Sequence, residues 1–246
     1  MEDKALLSTE VASGAEKAEL LIVIPAYNEA ENIERVVNHL TANFPQYDYV
    51  VVNDGSRDET AAICQRKRGY RLLDLPVNLG LAGAFQAGLK YADKYGYQYA
   101  VQLDGDGQHR PEYLESMIKK MEEGYDIVIG SRFVGEKKPF TMRMLGSNLI
   151  EMAIRFTTGV NIKDPTSGMR MFSKRMIREF ASGLNYGPEP DTVSYLIRQG
   201  ARVAEVPVIM DERILGVSYL TPVNAMRYML KMLISILLIQ NFRKRR

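Results

Sequence analysis

The sequence predicts an α/β domain built on a mostly parallel, Rossmann-like sheet flanked by helices. Three observations carry this expectation. The runs LLIVIP (20–25), YVVVND (49–54) and DIVIGSR (126–132) are continuous and rich in β-branched residues, as in strands covered on both faces. Helix-period segments separate them, the alternation of a doubly wound fold. Turn-forming Gly, Asn and Asp residues cluster just beyond the carboxyl ends of the runs.

The elements follow in order. LLIVIP is the first strand, ended by Pro25, and a helix follows over roughly Glu29 to Asn43. YVVVND is the second strand, and DETAAICQRKR opens the second helix. YRLLDLP (70–76) is a short third strand. The Gly-rich turn NLGLAGA then starts a helix through Tyr91. YAVQLDGD (99–106) is the fourth strand, running into acidic residues. PEYLESMIKKMEEG is a helix with Pro at its first turn. DIVIGSR is the fifth strand. Residues 142–157 fit a helix with Arg143, Ser147, Glu151 and Arg155 in one polar i,i+4 row. Its apolar residues Met142, Leu145, Leu149, Met152 and Phe156 lie elsewhere. Residues 190–199 read as a helix and ARVAEVPV as a strand. From Pro222 an amphipathic helix runs to the end, with a narrow polar stripe of Asn224, Arg227, Lys231 and Ser235 and a terminal RKRR. The organisation read from this is a loose tail (1–19), one domain (20–221) and a basic amphipathic C-terminal helix (222–246).

Composition narrows the function. With 246 residues, 46% of them hydrophobic, a sizeable core forms without disulfides or structural metal. Lys and Arg number 32 against 30 Asp and Glu, a balance that argues against nucleic acid as the partner. The single Cys64 rules out a disulfide framework, and two His leave little for a histidine metal centre. No run approaches the ~18 apolar residues of a membrane span; the longest is Met232 to Ile239. Residues 1–19 lack the apolar stretch of a signal peptide. A cytoplasmic protein, peripheral to a membrane, is expected.

In an open parallel sheet, ligands bind beyond the carboxyl ends of the strands. Three motifs fall there: PAYNE (25–29), NDGSRDET (53–60) and DGDGQH (104–109). In the third, Asp104 and Asp106 alternate with glycines. Carboxylates so close repel each other, a penalty that Mg²⁺ or Mn²⁺ removes, with Gln108 a neutral oxygen donor. Gly105 and Gly107 would let a ligand approach the backbone. A solvated polar turn is the plainer alternative. Asp54 suits a base or ribose donor, or simply a type I turn. PAYNE offers Tyr27 for base stacking and Glu29 at a helix start, and Asn28 equally fits a cap.

Taken together, PAYNE … VVNDGSRDET … LDGDGQHRPE … IVIGSR … DPTSGMR resembles the inverting family-2 glycosyltransferases of GT-A fold. The likeness is nearest to their dolichyl-phosphate mannosyltransferase and polyprenyl-phosphate glycosyltransferase branch, over about residues 20–220. The resemblance implies that Pro25, Tyr27, Glu29, Val52, Asp54 and Gly105 hold the nucleotide-sugar donor. It implies that Asp104, Asp106 and Gln108 sit at the metal and the diphosphate. Arg132 matches an arginine that reaches the phosphates, and Arg213 one near the donor diphosphate. Arg143 and Ser147 match positions that grip an acceptor lipid phosphate, and Asp164 and Arg170 bracket the floor of the acceptor site. Asn53, the glycines of DGDGQH and Tyr219 depart from the family's usual residues and leave the donor open.

A phosphate monoester is mostly dianionic at neutral pH, its second pKa being about 6, so it needs positioning rather than a base. A hydroxyl acceptor would need a base. Glu189 and Asp191 are the candidates, and both also fit a helix entry; His109 is read as loop packing. The C-terminal helix and residues 142–157 suit a lipid acceptor at an anionic membrane surface, with RKRR adding roughly 1 kcal/mol per residue. A core, a subunit interface or a membrane-protein partner would use the same apolar faces. The expectation is therefore a metal-dependent transferase moving a hexose to polyprenyl phosphate at the cytoplasmic membrane face. A sugar-hydroxyl acceptor and a non-catalytic nucleotide-sugar-binding subunit are the alternatives.

Overall fold

A computed structural model describes residues 18–136, 138–139, 141–182, 187–211 and 222–241. Seven strands form one sheet in the order β3-β2-β1-β4-β6-β5-β7. They are β1 (Leu20–Ala26), β2 (Asp48–Asp54), β3 (Leu72–Leu75), β4 (Tyr99–Gln102), β5 (Ile127–Ser131), β6 (Arg170–Ser173) and β7 (Val203–Pro207). Neighbours pair in parallel except β6, which runs antiparallel between β4 and β5.

The continuous apolar runs are explained by two cores. Leu21 and Val23 of β1 face one core, and Leu20, Ile22 and Ile24 face the other. Alternate residues of a strand point to opposite faces, so a strand covered on both sides needs apolar residues throughout. The first core is closed by α3 (Gly80–Tyr95), α5 (Met142–Thr158), α6 (Lys174–Ser182), α7 (Pro190–Arg198) and α8 (Pro222–Leu237). The second lies under α1 (Ile33–Asn43), α2 (Thr60–Arg66) and α4 (Leu114–Glu122). At the first face α3 comes so near β1 that a Cβ on Gly88 would fall 2.2 Å from Val23 Cγ1.

Some boundaries differ from expectation. α1 begins at Ile33 rather than Glu29, because residues 29–32 form a turn in which the Glu29 carbonyl accepts from Asn32 and Ile33. β4 stops at Gln102, which leaves Asp104 and Asp106 in a loop. β6 and α6 were not anticipated.

The polar i,i+4 row of α5 is partly turned inward. Ser147 is fully buried, and Glu151 is half-buried in an ion pair with Lys138 at 2.7 Å. Leu145, Leu149, Met152 and Phe156 are exposed instead, Phe156 by 85%. α8 packs on α5 and α7, and its polar stripe divides, with Arg227 and Lys231 exposed. Met226, Leu230, Ile234 and Leu237 are exposed, whereas Ser235 of its polar stripe is buried. No helix among the described residues is long and apolar enough to cross a membrane. RKRR lies outside the described residues.

Candidate active site

The strand order reverses between β1 and β4, and that switch point opens a crevice at the strands' carboxyl ends. Three loops converge on it.

The loop after β1 is stitched to the loop after β2. Asn28 takes a left-handed conformation (φ 55°), and its N–H donates to Ser56 Oγ at 3.0 Å. In return the Arg57 N–H donates to Asn28 Oδ1, and Glu29 N–H donates to Thr60 Oγ1 at 2.9 Å. Asn28 thus ties two loops together instead of capping α1. Pro25, Val52 and Glu29 are buried; Tyr27 is half-buried at the loop's edge. Asp54 is 3% exposed, and its Oδ1 accepts the Leu79 N–H at 2.7 Å. It therefore closes the loop leading to α3. Asn53 donates to Asp74 Oδ1 at 2.6 Å. A carboxylate at position 53 would meet Asp74 as a like charge, which accounts for the departure at this position.

The acidic loop sits opposite. Gln102 Nε2 donates to Asp104 Oδ1 at 3.0 Å. The Asp104 N–H donates to His109 Nδ1, so the ring proton lies on Nε2, 3.6 Å from Asp104 Oδ2. His109 thus holds the backbone of the acidic loop as well as packing it. Asp106 is buried, its Oδ1 accepting the Gln108 N–H. Gln108 Nε2 donates to the Asp211 carbonyl, which leaves Oε1 as its side-chain acceptor. Asp211 also pairs with Arg110, whose guanidinium holds its carboxyl below the usual range. The absent side chain of Gly105 serves packing: a Cβ would stand 3.1 Å from the Pro25 carbonyl oxygen. Among the described residues no three acidic, His or Cys side chains form a closed metal site. Asp104, Asp106 and Gln108 nonetheless supply the hard oxygen donors that Mg²⁺ or Mn²⁺ takes when substrate phosphates complete the shell.

At the end of β5, Arg132 makes a two-pronged ion pair with Asp164: Nε to Oδ2 at 2.7 Å and Nη2 to Oδ1 at 2.8 Å. Asp164 has no exposed surface and also accepts the Arg132 N–H. Its own N–H donates to Glu205 at 2.8 Å, which fixes the segment from 163 onward to β7.

Asp104, Gln108 and Arg132 line a cavity of about 370 Å³, whereas Tyr27, Glu29, Asp54 and Asp106 are not part of its lining. Ser167, Arg170, Glu189, Ala225, Tyr228 and Met229 line it as well. Tyr228 donates its hydroxyl to Glu189. Burial, then the Glu189 charge, pushes the phenol's pKa up, so it stays protonated. Asp191 is turned away from this cavity. Its Oδ1 accepts the Thr192 N–H, and its Oδ2 accepts from Ser235 at 2.6 Å and from Gln240. The carboxylate expected as a base thus latches α8 onto α7. Ser147 Oγ and Arg170 Nε are buried with no hydrogen-bond partner among the described residues. Only the helical backbone of Arg143 is described, and Arg213 and Tyr219 lie outside the described residues. Tyr228 was missed, because an aromatic in an apolar helix gives no sign that it will face a carboxylate.

The comparisons agree with this geometry. Residues 21–180 match the family model "Glycosyl transferase family 2". A polyprenol monophosphomannose synthase of Mycolicibacterium smegmatis is 32% identical over 86% of this chain and 84% of its own length. An undecaprenyl-phosphate mannosyltransferase of Micrococcus luteus is 31% identical over 81% of this chain and 86% of its own. Glucosyl-3-phosphoglycerate synthase of Mycobacterium tuberculosis, solved with Mn²⁺, UDP-glucose and phosphoglyceric acid, shares the fold. Its TM-score is 0.67 at 19% identity, over 90% of this chain and 79% of that one. The chain belongs to glycosyl transferase family 2 and is a glycosyltransferase of GT-A fold.

Proposed function

We propose that the protein transfers a hexose from a UDP- or GDP-linked donor to a polyprenyl phosphate, with inversion, at the cytoplasmic face of a membrane. The observation that carries the reading is the two-signed cavity. Asp104 and Gln108 line it with oxygen donors, and Arg132 and Arg170 line it with cations. The mannosyltransferase relatives are named for polyprenol and undecaprenyl-phosphate acceptors, which supports the same chemistry.

In this reading the loops carrying Tyr27, Glu29 and Asp54 bind the nucleoside. Asp104, Asp106 and Gln108 hold Mg²⁺ or Mn²⁺ together with the donor diphosphate. When bound, the cation offsets the charge that grows on the departing nucleoside diphosphate. Asp164 occupies the Nε–Nη2 edge of Arg132, so the Nη1 side is the one offered to phosphate. Arg143, Ser147 and Arg213 add the remaining contacts to acceptor and donor. The phosphate oxygen attacks the anomeric carbon directly, the C–O bond to the diphosphate breaks with its electron pair, and no proton need be removed. The engagement of Asp191 by Ser235 and Gln240 fits an acceptor that needs no base.

The exposed apolar faces of α5 and α8 would rest in the headgroup region, beside the cavity wall that α8 itself forms. A membrane-protein partner is the other occupant of that surface. Glu189 in the cavity favours a second reading, transfer to a sugar hydroxyl with Glu189 as base.

The test offers labelled UDP- and GDP-sugars with Mn²⁺ or Mg²⁺, with and without undecaprenyl phosphate. Metal-dependent label in the organic phase, lost in Asp106→Ala, is expected. Label that enters only a water-soluble glycan, and is lost in Glu189→Gln, would replace the lipid reading with the hydroxyl one.

A further inference from the structure

Arg170 opens β6 on the floor of the cavity and is 5% exposed. Its Nη2 donates to the Pro165 carbonyl at 2.7 Å, and its Nε is buried with no hydrogen-bond partner among the described residues. No carboxylate among the described residues forms an ion pair with it. The contrast with Arg132 is direct, since that guanidinium is matched by Asp164 on two prongs. Two acids share the cavity, and both are engaged elsewhere: Glu189 by the Tyr228 hydroxyl and Asp104 by the Gln102 amide.

A guanidinium cannot shed its proton to escape this situation. A buried charge without a counter-charge, and a buried N–H without an acceptor, are both costly. Native structures keep such groups where something else completes them. The completing group must be anionic, must accept several hydrogen bonds, and must fit a cavity of about 370 Å³. A phosphate meets all three conditions, and an arginine fork matches its geometry.

We infer that Arg170 is a binding residue for the phosphate monoester of the acceptor, taking one phosphate oxygen while Arg132 approaches another. This rests on the proposed transfer to a phosphate acceptor and deepens it. The chemistry is common to a lipid-linked phosphate and to a small soluble one, so the test separates them.

The full chain, with UDP and Mn²⁺ present, is titrated with farnesyl phosphate and, separately, with inorganic phosphate. UDP affinity is measured on the same samples. Arg170→Gln is expected to weaken farnesyl phosphate by tenfold or more while UDP affinity stays within twofold. Arg170→Lys, which keeps the charge without the fork, is expected to fall between. Equal losses for both probes assign the contact to the phosphate itself. A loss for inorganic phosphate in a protein that ignores farnesyl phosphate keeps Arg170 in this role and removes the lipid acceptor. The inference is overturned if either variant, with UDP affinity intact, binds both probes as wild type does. It is overturned equally if UDP affinity falls while theirs holds, or if the wild type binds neither. Lipid labelling at the wild-type rate and acceptor KM in Arg170→Gln would sink this inference and leave the proposed function standing.

Discussion

Replacing Asp164 by Asn tests whether the Arg132 clamp sets both the stability and the activity of the site. Asp164 has no exposed surface and accepts the Arg132 backbone N–H, Nε and Nη2. Asn keeps the shape but turns one acceptor oxygen into a donor facing a donor. Removing one partner of a buried ion pair costs about 3–5 kcal/mol. The Arg132 side chain is 24% exposed to the cavity. Solvent there steadies the released guanidinium, so the low end, about 3 kcal/mol, is expected. For a chain of this size each kcal/mol moves the melting temperature by about 2–4 °C, giving a fall of about 6–12 °C. Thermal unfolding followed by circular dichroism reads this directly. Turnover should drop with it, because Arg132 loses the two contacts that aim it. A fall of less than about 2 °C, equivalent to about 0.5–1 kcal/mol at most, with turnover unchanged would refute the reasoning.

Four further outcomes follow from other parts of the structure. Gly88→Ala would drive a Cβ to 2.2 Å from Val23 Cγ1, so α3 must lift from β1; a loss of about 1–3 kcal/mol is expected in denaturant unfolding. Burial works to raise Asp126, but the Arg175 and Ser173 side chains and the Arg202 N–H outweigh it and hold the carboxyl below its ordinary 3.8. A depressed carboxylate contributes stability that is present above the unfolded value and lost as pH falls through the folded one. Asp126→Asn should therefore flatten the acid limb of the stability profile below about pH 4. Burial, then the charge of Asp74, pushes the Cys64 thiol up to about 11, so the native chain should resist a maleimide at neutral pH and react once unfolded. Met152 and Phe156 are 65% and 85% exposed on α5. Changing both to Ser should weaken sedimentation with anionic vesicles by tenfold or more, about 1.4 kcal/mol, without lowering the melting temperature.

Much of the sheet was legible because its strands are buried on both faces and so read as unbroken β-branched runs. The motif loops were legible for a related reason. Asn28, Gly55 and Gly107 have positive φ, and such turns draw on Asn and Gly. β6 was not, since RMFS carries no β-branched run and its antiparallel pairing with β4 and β5 is set by tertiary placement. Asp191 illustrates a different limit. Its position two residues beyond Glu189 is visible in the sequence, but its direction depends on Ser235 and Gln240 more than forty residues away. The inward turn of Ser147 on α5 has the same origin. A polar row and an apolar row mark two faces of a helix, and only its neighbours decide which face is buried.

The most direct test of the account is the structure of the product. The lipid recovered from an incubation with undecaprenyl phosphate, Mn²⁺ and the accepted nucleotide sugar should be analysed by mass spectrometry and by NMR of the anomeric proton. The account predicts one hexose joined through its anomeric carbon to a single phosphate, in the configuration opposite to that of the donor. A sugar on a hydroxyl group, a retained configuration, or free hexose alone would contradict it.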